Sequence, residues 1–277
     1  MTNTNDGFLY GFIGVVIFAG SLPATRIGVM DFSPEFMTFA RASIAGIIGL
    51  ICLIATKQIK PNYRQFKSLL IMLTAFALQT ITAARAIVFV GMLPLSTALF
   101  AVICAKEKPK FMFWLFAILG SAFVAGFMLF NDQKQMFAIG DLYMIAAILI
   151  CGLGYAEGGK LSRELGGWQV ICWALTIMLP IMFILSFVYA PSNYSTIQIA
   201  PILGLIYVAL FSTLIGFFFW YKGLAIGGIA KVGQTQLMQP FIGMILSAVI
   251  LHEHIDLSMI IVSIAVVICV GLAKKYA

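Results

Sequence analysis

The chain has 277 residues, 62% of them hydrophobic and 10% charged, with a mean hydropathy of +1.06. A soluble domain needs far more polar surface than that, so the composition excludes one and places the chain in lipid. The formal charge of +7 sits mostly in short loops between apolar runs, which points to membrane lipid and not to nucleic acid as its setting.

Ten apolar runs of helix length follow one another at 8 to 29, 34 to 56, 66 to 81, 83 to 105, 111 to 130, 141 to 159, 168 to 189, 201 to 222, 229 to 250 and 257 to 274. Each is near the ~20 residues that cross ~30 Å of hydrocarbon as a helix. The expected fold is an all-α integral membrane protein with ten transmembrane helices. Run 1 follows a short polar stretch with no basic residue and no cleavage pattern, so it reads as a retained helix and not a signal peptide. Run 3 holds only about 16 apolar residues, short for a span, and is expected to cross all the same. Cys52, Cys104, Cys151, Cys172 and Cys269 fall inside or at the ends of runs and read as packing residues. His252 and His254 flank Glu253 in a loop that offers too few ligands for a metal, and nothing else calls for a cofactor.

Orientation comes from the basic residues. Of the 17 Lys and Arg, all but Arg26, Arg41, Arg85 and Lys134 lie in the even-numbered loops or the C-terminal tail. Positive loops stay cytoplasmic, so both termini are expected inside, with the protein multi-pass in the cytoplasmic (inner) membrane.

Residues 78 to 107 recur at 224 to 253 at a constant offset of 146: Leu78 with Leu224, Ala84 with Ala230, Arg85 with Lys231, Met92 with Met238, Pro94 with Pro240 and Glu107 with Glu253. The runs therefore divide five and five, as repeats over 1–135 and 136–277. An odd number of helices per repeat makes the second copy enter the membrane upside down. Inverted repeats are a signature of secondary transporters, which rock one half against the other around a site near the midplane. Arg85 and Lys231 then stand at opposite mouths, as gating candidates. Pro94 and Pro240 are expected to interrupt the helix ladder in mid-span and act as hinges.

Polar groups inside hydrocarbon are costly and mark candidate cavity residues. Arg41 lies two turns into run 2, where it needs a carbonyl, a carboxylate, water or a ligand. Glu157 is the carboxylate well inside a run; it would exchange a proton or hold an ammonium group, or pair with Lys160 three residues on. Arg26 and Lys160 are near run ends and read as snorkelling or structural. Run 9 carries Gln234, Thr235, Gln236 and Gln239, with Gln236 and Gln239 on one face. Run 8 holds Ser212 and Thr213, followed by the aromatic stretch from Phe217 to Tyr221.

The five-plus-five layout, the Gly20-to-Arg26 stretch, the RASIAG run around Arg41, the run TAARAIVFVGMLPLSTALFAVICAKEKP and its echo KVGQTQLMQPFIGMILSAVILHE together resemble the EamA-type drug/metabolite transporter superfamily. The resemblance spans essentially the whole chain. It implies a secondary transporter, commonly an exporter, of amino acids, nucleobases, other metabolites or drugs, with a central cavity formed by helices 1, 3, 4, 6, 8 and 9. It places Tyr155, Glu157, Trp220 and Gln236 on cavity-forming helices. Protons are the expected coupling ion and a small molecule the expected substrate. The alternative is an integral-membrane enzyme acting on a lipid-linked substrate, but the sequence lacks the clustered His, Asp or Glu that such chemistry uses: near the inner surface it offers only Glu107 and Glu164, in separate loops. Nothing resembles the filter or charge rings of a channel.

Overall fold

The structure is a computed structural model that describes residues 4–70, 92–131, 139–251 and 257–277. Over these residues regular structure is helical throughout: α1 (Thr4–Ala19), α2 (Ser21–Gly28), α3 (Pro34–Ala55), a helix over 63–70, α4 (Leu93–Ala105), α5 (Phe111–Asn131), α6 (Ile139–Leu165), α7 (Gly167–Val188), α8 (Ile199–Tyr207), α9 (Gly216–Gly227), α10 (Ile229–Gly233), α11 (Gln239–Leu251) and α12 (Leu257–Tyr276). Six stretches among the described residues are long and apolar enough to cross a membrane: Asn5–Gly28, Pro34–Ala55, Ile145–Leu165, Gly167–Val188, Ile199–Gly227 and Ile229–Leu251. Leu93–Ala105 and Phe111–Phe127 are shorter apolar helices. Run 3 beyond residue 70, the first half of run 4 with Arg85, and His252, Glu253 and His254 lie outside the described residues.

Local signals explain the helix ends. Ser33 accepts the Phe36 N–H at 3.1 Å, Pro34 fills the first turn and Glu35 follows, so α3 starts with a side-chain cap, a proline that loses nothing there and a carboxylate on the helix dipole. Runs 6 and 8 are longer than expected. Lys160 and Arg163 ride on α6, which continues to Leu165, and Lys222 rides on α9, which continues to Gly227. The charges mark where the helices leave hydrocarbon, not where they stop. The stops are Gly166 (φ 96°) and Gly228 (φ 92°), left-handed positions that favour glycine. Beyond the hydrocarbon edge Lys222 lays its ammonium 4.1 Å from the Tyr10 ring.

Two spans are not regular. Between α8 and α9, Val208–Ile215 winds as π-helix, and the Thr213 hydroxyl donates to the Val208 carbonyl five residues back at 2.9 Å. Between α10 and α11, Gln234–Met238 is a 3-10 turn. Pro240 is consequently the second residue of a new helical segment, and Pro94 is likewise the second residue of α4. The expected mid-ladder break is corrected: at the start of a segment a missing N–H costs nothing, so the change of winding before Pro240, and not a lost bond within an α-helix, interrupts that span.

Packing runs through small residues. A methyl added at Gly7 would meet the Gly227 backbone at 2.3 Å, one at Gly223 would meet the Gly11 backbone nitrogen at 2.5 Å, and one at Gly14 would meet the Gly216 carbonyl and the Trp220 nitrogen at 3.1 Å. α1 and α9 thus lie backbone to backbone along a glycine seam, the way helices associate where lipid supplies no hydrophobic drive. Gly204 against the Ala24 carbonyl (2.6 Å) and Gly152 against Ser96 Oγ (2.2 Å) repeat the device between other helices. We predict that Gly223→Ala lowers stability by about 1–3 kcal/mol, the cost of overpacking a closed contact. Gly126→Ala, where nothing lies within 4 Å, should leave it unchanged or slightly raised. Thermal unfolding in detergent compares the two, and equal midpoints would remove the seam from the account.

Candidate functional site

The seam sets α1 against α9, where the aromatic candidates Tyr155 and Trp220 meet. Trp220 on α9 is wholly buried, with Tyr155 of α6 at 5.7 Å and Phe18 of α1 at 6.1 Å between ring centroids. Phe217 closes the group at 4.8 Å from Phe18 and 6.1 Å from Tyr155. Two turns before Phe18 on α1, a methyl at Gly11 would touch Val232 at 2.2 Å and come within 3.8 Å of Thr235 Oγ1, so the 3-10 turn borders the same helix. Gln234, Thr235 and Gln236 are all buried there.

Among the described residues, several buried polar atoms on α9 and in the 3-10 turn have no partner. Trp220 Nε1, Gln234 Oε1 and Gln236 Oε1 are buried without a hydrogen bond. Gln234 does use its other end: Nε2 donates to the Pro94 carbonyl at 3.4 Å, tying the start of α4 to the 3-10 turn. Thr235 is satisfied by the Val232 carbonyl at 2.7 Å. Ser121, Gln169, Thr176 and Ser247, on α5, α7 and α11, also have an unpartnered atom. An unpartnered amide in an apolar surround costs on the order of 1–3 kcal/mol, so the open donor on α9 and the two open acceptors of the 3-10 turn are each places where a ligand's polar groups gain most.

Other candidates sit elsewhere. Gln239 is half-buried at the start of α11, and Lys231 is half-buried in the first turn of α10. Arg26 is exposed in the last turn of α2. Arg41 is half-buried on α3, a helix packed on α7 and the π-helical stretch and not on the aromatic group. Sequence reading missed that π-helical stretch, whose one local signal is the Ser212–Thr213 pair in an apolar run.

Glu157 is buried but partnered. Lys160 Nζ lies 3.5 Å from Oε1, Ser68 Oγ donates to Oε2 at 3.1 Å, and the Cys104 thiol hydrogen-bonds the same carboxylate. Gln65 Nε2 reaches Glu164 at 3.4 Å alongside. Arg64, Gln65, Ser68, Glu157, Lys160 and Glu164 wall a polar pocket of about 10 Å³, room for about one water. Ser68 as a partner could not be foreseen, because it lies 89 residues away in sequence. Two larger cavities, of about 290 Å³ beside Leu95, Trp114 and Ile148 and of about 600 Å³ between Phe123 and Val262, are apolar flank grooves with no candidate residue in them. Their chemistry suits lipid tails.

The model of the EamA-like transporter family matches residues 5–129 and again 138–273. An uncharacterized transporter of Bacillus subtilis (strain 168), YdeK, is 51% identical over the full length of both chains. A solved crystal structure superposes with a TM-score of 0.79 over 98% of this chain and 97% of its own, at 16% identity, a likeness of fold alone. With apolar helices long enough to span, and two matched segments that together cover nearly all of it, the chain is a multi-pass membrane protein that belongs to the EamA-like transporter family.

Proposed function

We propose that the protein is a secondary exporter of small metabolites, such as amino acids, nucleobases or drug-like compounds, working by alternating access across the cytoplasmic membrane. The observation that carries this reading is the set of open polar atoms at Trp220, Gln234 and Gln236, buried among apolar spans on and beside a broken helix. In lipid such groups are retained where a passing ligand satisfies them. Tyr155 and Trp220 form an aromatic wall for it, with Gln239, the residue after the 3-10 turn, as a further contact. Ten spans in two inverted five-helix repeats, 1–135 and 136–277, supply the moving halves; the offset of 146 and the two family-matched segments support that division. Pro94 and Pro240, at the starts of matching segments, serve as hinges, and Arg85 and Lys231 gate opposite mouths. Protons drive the cycle through Glu157, a buried carboxylate of α6 reached by Lys160 and Ser68.

Reporter fusions after Lys110 and after Ala277 should report cytoplasm and a fusion after Gln135 the outside; a C-terminus outside would end the ten-span layout. In proteoliposomes screened with amino acids, nucleobases and cationic drugs, Trp220→Phe keeps the ring and loses the N–H. For the transported solute its KM should rise about fivefold, the worth of one hydrogen bond, with an unchanged KM removing Trp220 from the site. Glu157→Gln should abolish transport or remove its dependence on a proton gradient while the protein stays folded. If Glu157→Gln and Lys160→Met instead lose equal thermal stability with transport and its pH dependence intact, the pair is structural only.

A further inference from the structure

Glu107 follows α4 on the face that carries Lys106, Lys108 and Lys110. Lys106 adopts φ 56°, a left-handed turn that ends α4 and throws Glu107 back across the bundle. Its Oε1 accepts the Ile229 N–H at 2.8 Å and its Oε2 the Ala230 N–H at 2.8 Å. Arg163 Nη2, from the last turn of α6, reaches Oε1 at 2.6 Å. One carboxylate thereby joins the ends of three spans, those of α4, of α6 and of Ile229–Leu251.

The choice of cap is unusual. The first N–H groups of a helix have no partner within it, and the residue just before the helix ordinarily supplies one. Here that residue is Gly228, which has no side chain, and the cap arrives from a residue 122 positions earlier in sequence. A local cap moves with its helix through any rearrangement. A remote one holds only while the two spans stay together, and water can take its place when they part. The ion pair to Arg163 is about one-third exposed on the arginine side, so it too can break into solvent.

We propose that Glu107 is a latch on the cytoplasmic mouth. It holds the ends of the three spans together while that mouth is shut and releases Ile229 and Ala230 as the mouth opens. This rests on the carrier reading above. The test uses the full chain with its five native cysteines replaced by alanine and Thr97→Cys as reporter. Thr97 lies against the turn after Ile229, its methyl 3.3 Å from where a Cβ at Gly233 would stand, and it is buried with the mouth shut. A membrane-impermeant maleimide is applied to inside-out vesicles. Glu107→Ala should raise the initial labelling rate roughly fivefold, the factor that one lost helix cap gives a two-state equilibrium. Arg163→Met, which leaves both backbone bonds in place, should raise it by a smaller factor. Unchanged labelling in both variants, with monodisperse protein, would overturn the latch and leave Glu107 a fixed cap. Should Glu107→Ala fail to accumulate, Arg163→Met alone decides in the same way. Transport in the same vesicles separates the two ideas: unchanged labelling with transport intact removes the latch only, while shifted labelling with no solute moved upholds the latch and counts against the carrier reading.

Discussion

In lipid two helices gain nothing from hiding apolar side chains, so close approach of their backbones is what holds them. The seam of Gly7, Gly11 and Gly14 against Gly216, Gly223 and Gly227 is that approach in this protein. Everything near the candidate site hangs from it. It sets α1 against α9, which fixes Trp220 between Phe18 and Tyr155, and it leaves Gly11 facing Val232 and Thr235 at the next span. A methyl added at Gly7, Gly14 or Gly223 would meet backbone, which cannot step aside as a flexible side chain can.

Irregular winding is concentrated where polarity is. The π-helical stretch contains the buried pair Ser212 and Thr213, and the 3-10 turn contains Gln234, Thr235 and Gln236. Altered winding turns side chains that an α-helix would direct to lipid toward the interior instead, and it frees backbone groups that protein partners then satisfy, as in non-helical backbone at membrane depth generally. The Gln234 amide on the Pro94 carbonyl couples the two proline-marked segments directly. The duplicated sequence is thus mirrored by a physical contact between its two copies.

Much of this was legible in the sequence. Among the described residues apolar length located several helices: the run at 34 to 56 is the helix Pro34–Ala55 and the run at 257 to 274 is Leu257–Tyr276, while the run at 8 to 29 is two helices, Thr4–Ala19 and Ser21–Gly28. It failed at helix ends such as Lys160 to Leu165, because charge density reports the hydrocarbon boundary whereas helix geometry ends at a left-handed glycine. Trp220, Tyr155 and Gln236 were identifiable as polar or aromatic groups on particular helices, but the meeting of Trp220 with Tyr155 and Phe18 depended on the glycine seam, which sequence spacing does not reveal. Glu107 read as a loop carboxylate, since its partners Arg163, Ile229 and Ala230 are far away in the chain. Arg41 stood out correctly as a charge in an apolar helix, yet its helix packs away from the aromatic group.

The central claim is that a ligand bound among Trp220, Gln234 and Gln236 crosses with a change of access and not through an open path. Counterflow tests it most directly. Proteoliposomes loaded with a large excess of unlabelled substrate are diluted into a trace of the labelled compound, with no ion gradient. The account predicts a transient accumulation of label above its external concentration, because a carrier exchanges one bound molecule for another. Label that merely equilibrates at a rate proportional to its concentration, with no overshoot, would contradict it.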